Sequence, residues 1–128
     1  MGSGTSIGRV RGLGSAKEGT HHWWNQRASA ASNLFLMAWL LFTIAMQPSF
    51  SFETLSTWTH SAWVAIPMML LVASLFYHAR LGLQVLIEDY VHDESRIVLM
   101  LLLNAFVIGG VAIALFSILK LAFTGTPA

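Results

Sequence analysis

Few residues of this chain are able to do chemistry, and the most informative of them is His78. It lies in a long apolar run from Ser61 to Leu86 that is interrupted only by His78, Arg80 and Gln84. An ionisable side chain in such a run costs free energy and usually faces protein or a cofactor. A neutral imidazole is cheaper to bury than a charge, so two chemistries fit: a hydrogen bond to a neighbouring helix, or ligation of a metal or haem iron. At 100° per residue His78, Gly82, Val85 and Asp89 fall on one stripe of a helix. Gly82 leaves space beside the imidazole for a flat macrocycle or for a close helix, and so decides between neither.

A haem reading makes a further demand. The apolar runs on either side hold no histidine, and their thioethers, Met37, Met46 and Met100, can all be core packing. His60 stands eighteen residues from His78, about 27 Å along a helix and beyond the reach of one iron. His21, His22 and His92 lie outside the apolar runs. A second axial imidazole would therefore come from another polypeptide, and a haem with both axial positions filled transfers electrons and does not bind oxygen.

Asp89 and Tyr90 follow His78 by eleven and twelve residues, about 17 to 18 Å along the axis. Helical side chains lean toward their own N-terminus. The Tyr90 phenol can therefore reach back toward a lipid-dissolved molecule, or it can serve as a plain interfacial anchor. Arg80 points to roughly the opposite face from His78, and a carboxylate, a haem propionate or a headgroup phosphate is its expected partner. Arg27, with His21 six residues before it, is placed where a cationic pair could hold propionates. Ordinary charge placement beside a membrane accounts for it equally well.

The elements that position these residues follow from composition. Of 128 residues 55% are hydrophobic and 10% charged, where a soluble domain carries about 25% charge; the mean hydropathy is +0.65. The apolar residues gather into blocks long enough to cross a hydrocarbon layer of ~30 Å. The expected fold is an all-α membrane protein with three transmembrane helices, about 28–46, 61–86 and 97–123. The first span opens with the small residues Ala28-Ser29-Ala30-Ala31-Ser32, which favour close helix approach, and ends at Gln47-Pro48. Phe52, Leu55 and Trp58 in the following loop suit a short interfacial turn. The loop from Glu88 to Arg96 holds four of the six acids, and Lys120 near the end of the third span can snorkel to the surface.

Residues 1–27 form an N-terminal arm, Gly- and Ser-rich through Thr20, that cannot bury enough apolar surface to fold alone; residues 124–128 form a short tail. The arm is basic and contains serine, as transit peptides do, but it is short and runs straight into His21-His22-Trp23-Trp24. The expectation is a bacterial chain that keeps it. Four of seven Lys and Arg precede the first span, which predicts a cytoplasmic N-terminus, with Trp23, Trp24, Trp58 and Trp63 as interfacial belts. With no cysteine the chain cannot form a disulfide, a thiolate zinc site or an iron–sulfur cluster on its own ligands. A formal charge of +1 gives no global field that would attract nucleic acid.

Two blocks, Gly19-Thr20-His21-His22-Trp23-Trp24-Asn25-Gln26-Arg27-Ala28-Ser29-Ala30 and His78-Ala79-Arg80-Leu81-Gly82-Leu83-Gln84-Val85-Leu86-Ile87-Glu88-Asp89-Tyr90-Val91-His92, resemble the hydrophobic membrane-anchor (D) subunit of succinate dehydrogenase, respiratory complex II. The resemblance covers about Gly19 to Leu121. It implies that His78 supplies one axial ligand of haem b, with the other from a second, cytochrome b type anchor subunit. It also implies that Tyr90 donates a hydrogen bond to a ubiquinone carbonyl, that Asp89 belongs to the polar network beside the quinone, and that His21 and Arg27 stand near the haem propionates. The implied partners are that second anchor, an iron–sulfur subunit, a flavoprotein subunit and membrane lipid, in a bacterial inner membrane, with no dicarboxylate chemistry on this chain. A fumarate reductase anchor runs the same chemistry backwards and shares the pattern. A haem-free three-span scaffold, with His78, Arg80 and Asn104 as interhelical hydrogen-bond glue, is the rival from another class.

Overall fold

The computed structural model describes residues 5–7 and 19–124. The expected extended arm therefore lies outside the described residues over 1–4 and 8–18, as does the tail over 125–128. The rest is helical: α1 Gly19–Ala45, α2 Phe52–Thr59, α3 Ala62–Tyr90 and α4 Ser95–Thr124. Among the described residues there is no strand. α1, α3 and α4 are each long and apolar enough to cross a membrane, and α2 is the expected short element between the first two spans.

The helix ends have local causes. α1 stops ahead of Pro48, because the residue before a proline is pushed out of the helical region. Its last carbonyls are taken up by Gln47, whose backbone N–H donates to Ile44 at 3.1 Å and whose side-chain amide donates to the Thr43 carbonyl at 3.1 Å. At its other end α1 reaches back to Gly19, well before the apolar run begins at Ala28, so His21, His22 and the tryptophan pair are helical. α2 starts at Ser51, whose hydroxyl accepts the Thr54 N–H at 3.3 Å, a side-chain N-cap. Glu53 in its first turn suits the positive end of the helix dipole. α3 carries Pro67 in its second turn, a position that forgoes one backbone hydrogen bond and is tolerated within membrane helices. It ends where Val91 turns extended, the Val91 N–H donating to Ile87 at 2.9 Å. α4 opens beside the Ser95 hydroxyl, which donates to the Asp93 carboxylate.

α3 is the central element. α1 packs on one side of it and α4 on the other, and α1 and α4 do not meet. α2 rests on the ends of α3 and α4, where the His60 Nδ1–H donates to the Ala122 carbonyl at 2.9 Å. On the α4 side the packing is tight at Gly110, while an apolar groove of about 260 Å³ lies open beside Phe76 and Phe106. The ring of Phe76 occupies the place a β-carbon on Gly110 would take, its Cε1 only 2.5 Å from that point, and tilts against Phe106 with centroids 6.2 Å apart. The buried apolar side chains are few: Val64, Ala65, Leu71, Leu81, Leu103 and Ile118. Large apolar side chains such as Phe35, Trp63, Phe116 and Phe123 stand exposed along the helices. In water such a surface would aggregate; against lipid or a second membrane protein it is the required one.

Candidate functional site

α1 places four polar side chains, His22, Gln26, Ser29 and Asn33, at the i, i+4, i+7, i+11 spacing that puts them on one face of a helix. This face meets α3. Ser29 is buried, and its hydroxyl lies 2.9 Å from Nδ1 of His78 and 3.0 Å from the Gln26 backbone carbonyl. The carbonyl can only accept, while the imidazole tautomer decides whether Ser29 Oγ or His78 Nδ1 donates between them. In the Nδ1–H tautomer the hydroxyl proton goes to Gln26, the Ser29 oxygen accepts from His78, and Nε2 is the nitrogen with a free lone pair.

Around the pair a cleft of about 880 Å³ opens between α1 and α3, lined by His22, Gln26, Arg27, His78, Gly82 and Glu88 among others. Two buried polar atoms on its lining residues, Nε2 of His22 and Oε1 of Gln26, have no hydrogen-bond partner, and Oδ1 of Asn33 further along the same stripe has none either. A buried polar atom without a partner costs about 1–3 kcal/mol, so such atoms mark places where a further molecule is expected to supply one. Gly82 faces Gln26, and a β-carbon added there would meet the Gln26 amide nitrogen at 3.7 Å, an ordinary contact. Packing within this chain therefore does not require glycine at that position.

Arg27 stands at the mouth of the cleft with its guanidinium 4.5 Å from the centre of the Trp23 ring, itself stacked on Trp24. This cation–π contact holds the charge at the rim. His21, expected beside Arg27, does not line the cleft; His22 does. One residue is 100° of helix rotation, and with α1 helical from Gly19 that rotation turns His21 away from α3. Asp89 and Tyr90 lie exposed in the last turn of α3, the latter 81% exposed, and neither lines the cleft. The carboxylate that does is Glu88, which accepts from Gln84 Nε2 at 3.2 Å and from Arg96 Nη2 at 3.2 Å. Arg80 turns the other way, and its Nε donates to Oδ1 of Asn104 at 2.7 Å. Its partner within the chain is thus an amide on α4, where a carboxylate, propionate or phosphate was expected.

Among the described residues no three His, Asp or Glu side chains converge into a metal-holding group. The donor set is one imidazole, hydrogen-bonded at Nδ1, beside a cleft with a cationic rim. That is compatible with one half of a haem site, and it cannot complete one alone. Of the residues singled out from the sequence, the structure brings His78, Gly82, Val85 and Arg27 to this cleft, and it adds Gln26 and His22 on the lining and Ser29 on His78, which the sequence reading had given no such place. The polar spacing 22, 26, 29, 33 was the available signal.

The chain matches, over residues 1–119, the family described as the succinate dehydrogenase/fumarate reductase transmembrane subunit. It is similar to the succinate dehydrogenase hydrophobic membrane anchor subunit of Rickettsia bellii, 37% identical over 90% of this chain and 85% of the relative. It is also similar to the membrane anchor subunit of Reclinomonas americana, 33% identical over 72% of this chain and 80% of that one. The corresponding subunit of Rickettsia conorii is 28% identical over 80% of this chain and 82% of its own length. Taken with three apolar helices of spanning length, these matches establish that the chain belongs to the succinate dehydrogenase hydrophobic membrane anchor subunits, part of an oxidoreductase complex.

Proposed function

We propose that this chain supplies one axial ligand of a haem b, through Nε2 of His78, and part of the site at which succinate-derived electrons reach ubiquinone. The observation that carries the reading is the Ser29–His78 hydrogen bond, which commits Nδ1 and leaves Nε2 free beside a cleft whose lining atoms lack partners. The single-residue freedom at Gly82 supports it further, since a helix packed there would accept alanine equally well. His22 and Arg27 would meet the propionates at the mouth of the cleft, Gln26 would bond a polar group deeper in it, and His21 stands outside it. The second axial imidazole would come from a companion anchor subunit: His60 is eighteen residues from His78, and His22 lies seven residues, about 10 Å along α1, before the Ser29 that bonds His78. Bound there, a haem b would supply a one-electron store.

Tyr90 and Asp89 act at the end of α3, about three turns beyond His78, on a surface left open for a partner. The Tyr90 phenol donates to a quinone oxygen as charge builds on it, and such a donor acts more strongly in the low dielectric of a covered site than in water. Asp89 belongs to the polar surroundings of that oxygen. The chain thereby anchors an iron–sulfur subunit and a flavoprotein subunit on the cytoplasmic face of a bacterial inner membrane, with its own N-terminus on the same side.

A reduced-minus-oxidised spectrum of the purified complex tests the haem reading. The wild type is expected to show Soret and alpha bands, and His78→Ala is expected to lose or shift them. A colourless wild type, or identical bands in His78→Ala, would favour the haem-free scaffold. For the quinone role, Tyr90→Phe keeps the ring and removes the donor. Succinate-to-quinone turnover is expected to fall at least tenfold with haem content unchanged, and a rate within twofold of wild type would end the assignment.

A further inference from the structure

We infer that Ser29 is the positioning residue of the haem ligand: it fixes the tautomer and ring orientation of His78 and sets the electron density at Nε2. This rests on the haem reading above and assigns a role to a residue which that reading does not itself require.

The argument is one of donors and acceptors. With Nε2 on iron, Nδ1 of His78 carries the imidazole proton and must donate, and Ser29, which has a single proton, gives it to the carbonyl 3.0 Å away. Gln26 is three residues before Ser29, on the preceding turn, so this bond is made within α1. The Ser29 oxygen, fixed by that bond and 7% exposed, then faces His78 Nδ1 at 2.9 Å as an acceptor. The result is an ordered chain from His78 Nδ1–H to the Ser29 oxygen, and from the Ser29 hydroxyl to the Gln26 carbonyl. Metal-bound histidines generally donate their second N–H in this way, which orients the ring and raises the basicity of the ligating nitrogen. A more basic Nε2 favours ferric over ferrous iron and lowers the reduction potential of the group it binds. Alanine at 29 would keep the helix and leave Nδ1–H without its acceptor.

The test is potentiometric titration of the haem in the purified wild-type complex and in the Ser29→Ala and Ser29→Thr complexes, read from the alpha band. Ser29→Ala is expected to move the haem midpoint potential positive and to weaken haem retention roughly tenfold to a hundredfold, the usual cost of losing such an outer bond. Ser29→Thr keeps the hydroxyl and is expected to restore both, which loss of packing volume alone would not do. If the potential and haem retention of Ser29→Ala equal those of wild type, the positioning role is wrong while the haem reading stands. If Ser29→Thr behaves as Ser29→Ala does, the effect is steric and the relay is also overturned. A wild-type complex with no haem band sinks the parent reading itself.

Discussion

The two sides of α3 are built on opposite plans. Toward α4 the chain completes its own contacts: Phe76 fills the hollow over Gly110, Phe106 closes on Phe76, and Arg80 finds Asn104. Toward α1 it leaves contacts unfinished. Among the described residues Ser29 and His78 form the one side-chain hydrogen bond across that side, and His22, Gln26 and Asn33 hold buried polar atoms with no partner. Both sides place an ionisable residue within a span, yet only one closes around it. A histidine and an arginine two positions apart on one helix thus serve different ends, and what separates them is the neighbour each meets rather than their depth.

The sharpest way to break this contrast is to add volume at the two glycines. On the closed side, Gly110→Leu drives a side chain into the space held by Phe76 and is expected to destabilise the complex by about 1–3 kcal/mol, the cost of overpacking. Thermal dissociation of the purified complex reads it, and an unchanged midpoint would show that this side is looser than its contacts indicate. On the open side, Gly82→Ala is expected to change stability by less than about 0.5 kcal/mol, since its β-carbon meets nothing closer than 3.7 Å. Its effect should appear instead as reduced haem content in the same preparations. Full haem content in Gly82→Ala would mean that the cleft beside His78 does not take the macrocycle edge.

The spans were legible because length and unbroken apolarity are properties of a segment and survive small errors in its limits. Pro48 marked the end of the first span, and His78 stood out because an imidazole in an apolar run has few explanations. The facing of α1 was not legible. It depended on the helix beginning at Gly19, whereas composition through Thr20 suggested an unfolded arm, and one residue of phase decides whether His21 or His22 meets α3. Ser29 was read as one member of a small-residue run that allows close approach. That reading is compatible with its burial, but the hydroxyl could only be assigned once its neighbour across the helix pair was known. Arg80 bonds Asn104, the interhelical pair that the scaffold reading named: charge complementarity suggested an anion, while the nearest acceptor was a neutral amide twenty-four residues away in sequence on the next span.

Because α1 and α4 lie apart on either side of α3, the chain has almost no inside of its own. On its own it leaves a histidine, a glutamine and an asparagine with buried polar atoms that lack a partner, so the assembled enzyme and the folded subunit are close to being the same thing. A cell making too much of this protein alone should find it short-lived, and its abundance should track that of whichever subunit covers the α1 side.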